Sequence, residues 1–190
     1  IFININIVYK MKKISFIRHA QGVHNLSEQN WQIEHPGLTD LGKSQCKKLS
    51  NSIDKEFDII YVSPLKRTLK TAELVFGKDN NFIATELIKE AIVNPCDKRE
   101  SKDESIKNFP FVNFKNINDN YEYNKIESNS KIENRCDEFF SLIKNSHHKN
   151  IAVVTHGEYL NRFLNKYSNQ LNIQNKNWFK NCELRTGFIY

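Results

Sequence analysis

The stretch ISFIRHAQGVHN, Ile14 to Asn25, decides how the chain is read. Ile14, Phe16 and Ile17 form an apolar run of the length of a buried strand, and it stops at Arg18 and His19 before a loop containing Gly22. A histidine at the carboxyl end of a parallel strand sits where open α/β sheets bind ligands, and a neighbouring guanidinium can hold a phosphate by a bidentate fork. The plain alternative is a strand ending in two surface polar residues. The weight of the motif therefore depends on what the rest of the chain brings to it.

Downstream, His35 and Pro36 lead into GLTDLGKSQCKKLSNSI, where Thr39 is a suitable N-cap and Leu41, Gln45, Leu49 and Ile53 fall at helical spacing. Gly42 inside that helix costs propensity, which close approach to another backbone would offset. Phe57 to Val62 reads as a second buried strand. Ser63 at N-cap and Pro64 at the first helical position predict a helix through PLKRTLKTAELVFG, with Leu65, Leu69, Ala72 and Phe76 inward. Arg67 then falls in the first turn, an anion-binding position; otherwise it is one of three solvated cations with Lys66 and Lys70.

A third short strand is expected from Asn81 to Thr85. From Asn94 to Ser130 the periodicity breaks down, which reads as a partly helical insertion over a pocket mouth; Phe109, Phe111, Phe114, Tyr121 and Tyr123 imply that part of it packs. Lys131 to Lys144 is amphipathic. Ile151 to Thr155 is a buried strand ending at His156 and Gly157, and a helix follows with Leu160, Phe163, Leu164 and Tyr167 inward. Asn181 to Tyr190 looks like a closing strand, and no repeat recurs at a fixed period. Residues 1 to 10 alternate apolar and polar like an edge strand, but they precede Met11 and are expected to be a leader or disordered extension. Residues 11 to 190 are expected to form a single domain.

Composition narrows the function. At 190 residues with 39% hydrophobic side chains, the chain can fill one core. No run is long enough to cross a bilayer and no signal-peptide pattern is present, so a soluble cytoplasmic protein without a membrane partner is expected. Cys46, Cys96, Cys136 and Cys182 are too scattered for a zinc site or a disulfide framework and are expected to pack as small apolar residues. The net charge of +6 comes from lysines interleaved with acids rather than from a basic block, which favours small anionic substrates over nucleic acid.

Strands alternating with helices imply an α/β fold, a three-layer α/β/α sandwich around a mostly parallel sheet. Strand ends in such a sheet converge, so Arg18, His19, His156 and the amino end of the Arg67 helix can meet in one crevice. RHAQGVHN (Arg18 to Asn25), LTDLGKSQ (Leu38 to Gln45), SPLKRTLKTA (Ser63 to Ala72), ELIKEAIVNPCDKR (Glu86 to Arg99) and THGEYL (Thr155 to Leu160) follow one another along the chain. In that order they resemble the histidine phosphatase superfamily, the phosphoglycerate-mutase-like proteins. Ala20 departs from the glycine usual in that family.

The resemblance implies that His19 is a nucleophile taking the phosphoryl group, that Arg18, Arg67 and His156 bind its oxygens, and that Asn25 and Gly157 contact phosphate. It implies Glu90 as the acid, with Glu86 the rival one helical turn earlier, and no metal or cofactor. His24 and His35 are read as loop residues beside the pocket, His147 and His148 as solvated, and Gly157 as a turn glycine. Three functions follow: a metal-independent phosphatase acting on a small phosphorylated metabolite or a phosphoprotein, a phosphoglycerate mutase using Lys98 and Arg99 as extra cations, or a non-catalytic module binding phosphorylated ligands. The substrate and the oligomeric state are not set by the sequence.

Overall fold

A computed structural model describes residues 11–119 and 126–190. The expectations for residues 1 to 10 and for Tyr121 and Tyr123 lie outside the described residues. The chain runs β1 (Lys12–Arg18), α1 (Asp40–Ser50), β2 (Ile59–Val62), α2 (Lys66–Phe76), β3 (Phe82–Ala84), α3 (Lys102–Asn108), β4 (Val112–Asn113), α4 (Asn129–Asn145), β5 (Asn150–Thr155), α5 (Gly157–Tyr167) and β6 (Leu184–Ile189), with short 3-10 turns between. The sheet order is β4-β3-β2-β5-β1-β6, parallel except for β6 against β1.

Strand alternation divides the core into two layers. Ile14, Phe16, Ile59, Tyr61, Ile151 and Val153 face α4 and α5, meeting Phe139, Leu160 and Phe163. Ile17, Ile60, Val62, Ala152 and Val154 face the other way, onto Cys46, Leu69, Ala72 and Val75 of α1 and α2. Side chains of period two on a sheet and period 3.6 on the helices make this three-layer packing. All four cysteines are buried, and no helix among the described residues is long and apolar enough to cross a membrane.

Several local expectations shift. The α2 helix begins at Lys66 with Leu65 as its N-cap, not at Ser63 and Pro64. The Ser63 side chain is bonded to His156 and its carbonyl accepts the Thr68 hydroxyl, so a tertiary contact takes the group that would have capped the helix. In α1, Thr39 caps as expected, accepting from the Gly42 amide at 3.0 Å. The buried face there is Gly42 and Cys46, whereas Leu41 is exposed. The segment after Asn94 contributes α3 and then β4, a parallel edge strand whose neighbours Phe109, Phe114 and Ile117 are buried against the α2 side of the core.

Behind the sheet edge, Arg135 of α4 makes a bidentate pair with Glu127 (Nε to Oε1 and Nη2 to Oε2, both 2.8 Å). Its Nη1 donates to the carbonyls of Leu87 and Lys89 at 2.9 and 3.1 Å. A buried guanidinium thus ties down the loop that follows β3, the loop carrying Glu90.

Gly42 is needed for close approach. A Cβ there would lie 2.2 Å from the Gln21 carbonyl oxygen, which the Thr39 amide also holds at 3.0 Å. Gly42→Ala should therefore destabilise the fold by about 1–3 kcal/mol through overpacking, although it gains about 1 kcal/mol of helix propensity. Urea unfolding decides the sign, and a stabilised variant would show that α1 can move away from the Gln21 loop.

Candidate active site

Strand register brings the two histidines together. Arg18 of β1 is level with Thr155 of β5, and the His19 amide donates to the Thr155 carbonyl at 2.8 Å. His19 and His156, the first residues beyond their strands, stand with rings 5.1 Å apart. On the other side of β5 the Ser63 amide continues the ladder to Val154 at 3.0 Å, placing the Ser63 hydroxyl 2.7 Å from His156 Nε2. Nδ1 of His19 donates to the Ala20 carbonyl at 2.7 Å, which leaves Nε2 as the ring nitrogen carrying the lone pair.

Around this pair lies a cavity of about 360 Å³ whose wall includes Arg18, His19, His24, Arg67, Glu90 and Asp97. Arg67, 2% exposed, donates from Nη1 to the Cys96 carbonyl at 2.6 Å and from Nη2 to Asp97 Oδ1 at 3.3 Å. Asp97 Oδ2 in turn accepts the Val93 and Asn94 amides at 3.2 and 3.0 Å. Arg18 donates from Nη1 to the Phe179 carbonyl at 2.7 Å. Among the described residues, Nε of Arg18, Nε of Arg67 and Nδ1 of His156 are buried with no partner. Buried guanidinium donors of this kind are costly unless an anion or water accepts from them, and the chemistry they suit is phosphate.

The cavity takes Glu90, whereas Glu86 accepts from Arg99 Nε at 2.6 Å and is not part of the wall. Glu90 Oε1 accepts the amides of Ala91 and Tyr159 at 3.0 and 3.1 Å, at the amino end of α5. Burial, then the nearby Asp97, push its carboxyl up to about 6, against the pull of Arg67 and the two amides. Burial and the adjoining guanidiniums hold His19 and His156 well below their ordinary value, and push His24 down to about 3. The imidazoles are therefore neutral and the carboxyl is poised for proton transfer near neutral pH.

The other expected residues divide. Asn25 lines the rim, but its Oδ1 already accepts the Gly22 amide at 3.0 Å and its Nδ2 lies 3.1 Å from His24 Nε2. Gly157 lines the wall; a Cβ there would meet Trp178 Cζ2 at 2.8 Å and Arg18 Nε at 3.1 Å, so it serves close approach, with no turn-type positive φ. Lys98 points away to Glu34 at 2.6 Å, and Arg99 is buried against Glu86. Neither lines the cavity. Ala20 is fully buried in the layer beneath α2, with its amide donating to Thr71 Oγ1 at 3.1 Å and no positive φ, so its methyl is packed without strain.

Sequence reading missed the contacts of Ser63 with His156 and of Asp97 with Arg67. His24 lies beside the pocket as expected, but it is buried in the wall with its ring 5.3 Å from His19. The Pro-Cys-Asp segment carried a signal for Asp97, but nothing local tied it to Arg67. His35 instead sits outside the cavity wall, its Nδ1 3.2 Å from the Lys98 carbonyl.

A mostly parallel sheet whose strand ends carry two neutral histidines, with a half-buried arginine, a buried one and a raised carboxyl beside them, is the arrangement of an α/β protein suited to a phosphoryl group. The model for the histidine phosphatase superfamily (branch 1) matches residues 14–186, and the chain belongs to that superfamily. It is 29% identical over 234 aligned residues to phosphoglycerate mutase-like protein 1 of Arabidopsis thaliana, covering 96% of this chain and 82% of that protein. It is 29% identical over 154 residues to phosphoserine phosphatase 1 of Hydrogenobacter thermophilus, covering 77% and 71% of the two chains. Its fold matches the alpha-ribazole phosphatase of Shigella flexneri, with a TM-score of 0.64, 17% identity and coverage of 92% and 89%. Membership makes the chain an enzyme of the histidine phosphatase kind.

The buried histidines set an acid limit on the fold. Unfolded, each titrates near 6.5, and folded each binds its proton only at lower pH. Stability contributed by the neutral imidazoles is complete above about pH 7 and falls below 6.5, by roughly 1 kcal/mol per pH unit for each of His19, His24 and His156. Glu90 acts oppositely between about pH 6 and 4.5, its raised folded pKa offsetting one histidine. The expected net loss is about 2 kcal/mol from pH 6 to pH 5, read by urea unfolding across that range, with a shallower slope in His24→Gln. Unchanged stability would mean that the histidines titrate as they do in solvent.

Proposed function

We propose that the protein is a metal-independent phosphatase that hydrolyses a phosphomonoester through a phosphohistidine on His19. The observation that carries this reading is the arrangement at His19: its Nδ1 is engaged by Ala20, and the wall around it bears two guanidiniums whose Nε atoms have no partner among the described residues. Arg18, Arg67 and His156 hold the phosphoryl oxygens, offsetting the repulsion that opposes attack on a dianion. Nε2 of His19 forms the N–P bond as the ester P–O bond breaks, and Glu90 gives its proton to the leaving alkoxide. Glu90 then takes a proton from water, which attacks phosphorus; the P–N bond breaks and inorganic phosphate leaves.

A mutase would return the phosphoryl group to a second hydroxyl and would need further cations for a carboxylate. Lys98 and Arg99, the candidates for that task, are paired with Glu34 and Glu86, which supports hydrolysis over exchange. With 3-phosphoglycerate, phosphate release should exceed isomer exchange; primer-dependent exchange faster than release would make the protein a mutase.

Incubation with a labelled phosphomonoester should give acid-labile, base-stable label on His19, abolished in His19→Ala together with turnover. A His19→Ala protein with full turnover would end every enzymatic version of this reading, and ligand binding without label would leave a non-catalytic phosphate-binding module. Glu90→Gln should slow hydrolysis of alkyl phosphates by about 10² to 10⁴ while sparing p-nitrophenyl phosphate, whose leaving group needs no proton. For alkyl phosphates, kcat/KM should fall above about pH 6, where Glu90 loses its proton. Equal losses on both substrates would remove Glu90 from the acid role.

A further inference from the structure

The chain has two tryptophans, Trp31 and Trp178, and both line this one cavity. They come from distant segments: Trp31 from the 3-10 turn Glu28–Gln32, Trp178 from the loop before β6. Each is only partly covered, at 38% and 51% exposure, and Val93, also on the wall, is 57% exposed. Apolar side chains left in water and gathered around a cavity mouth are the usual mark of a ligand surface. Trp178 is held there, its ring against Gly157 and 5.8 Å from the Arg18 guanidinium carbon. The aromatic wall is thus continuous with the phosphate cradle.

The charge at the mouth points the same way. Beyond the cradle the wall carries Glu158, paired with Arg162 at 2.7 Å, and Lys98 and Arg99, which follow the wall residue Asp97 in sequence, are committed to Glu34 and Glu86. Such a mouth disfavours a substrate carboxylate and accepts a flat apolar group.

We propose that Trp31, Trp178 and Val93 form an aromatic leaving-group subsite, and that the substrate is a small phosphomonoester whose alcohol carries an aromatic ring rather than a compact hydroxy-acid phosphate. This rests on the phosphatase reading for its chemistry, and on the cavity wall alone for its choice of substrate. The two tryptophans act as walls for the ring while the cradle fixes the phosphate, so the subsite selects the alcohol without touching the reacting bond.

The test compares 2-phenylethyl phosphate with ethyl phosphate, whose alcohols are similarly poor leaving groups. The ratio of their kcat/KM values should be about ten or more, from burial of one ring, and should fall toward one in Trp31→Ala and in Trp178→Ala. A ratio near one in the unmodified protein, or a preference for phosphoserine or 3-phosphoglycerate over the phenylethyl ester, overturns the proposal. Binding gives a readout that needs no turnover. Since both tryptophans stand at the site, their fluorescence in the intact protein and in His19→Ala should report 2-phenylethylphosphonate at about tenfold lower concentration than ethylphosphonate. Equal affinities defeat the subsite even if hydrolysis is found, and tight aromatic binding without any hydrolysis upholds the subsite while removing the phosphatase reading.

Discussion

The amide of His19 donating to the carbonyl of Thr155 is the last rung of the β1 and β5 ladder, and the site depends on it. Parallel pairing fixes which residue of one strand leaves the sheet beside which residue of its neighbour. A slip of one residue would turn Ile14 and Phe16 out of their layer and separate His19 from His156. The apolar alternation that fills the two core layers therefore also sets the spacing of the two histidines.

From that rung, constraints pass outward in a short series of contacts. Ser63 continues β2 against β5 and holds His156. Asp97 draws the turn after Asn94 onto Arg67, and Arg135 anchors the loop that presents Glu90 to the amino end of α5. Burial does the electrostatic work: the same exclusion of water that keeps the imidazoles neutral raises the Glu90 carboxyl. The neutral imidazoles and the raised carboxyl are thus two consequences of burial at the floor of one cation-lined cavity.

Much of this was legible in the chain. Strands at Ile14, Ile59 and Ile151 show as apolar runs, and the Thr39 cap, the α4 and α5 stripes, and the paired histidines at strand ends are local patterns that survive folding unchanged. Less legible was anything requiring a choice among chemically similar groups. Ser63 and Pro64 carry a helix-start signal, yet His156 takes the hydroxyl and the helix begins at Lys66. Glu86 and Glu90 stand four residues apart, and the Pro-Cys-Asp segment after Glu90 favours it only by resemblance; in the fold Arg99 engages Glu86 while Glu90 lines the cavity.

The sequence by itself determined the layered α/β architecture and put forward Arg18, His19, Arg67, Glu90 and His156, which the structure gathers in one place, because periodicity and residue chemistry are properties of short segments. Only the tertiary structure decided which cations face the cavity, that His24 is buried beside His19, and that two tryptophans about 150 residues apart share one wall. Those outcomes depend on register and on competition for partners across the chain, which no local pattern encodes.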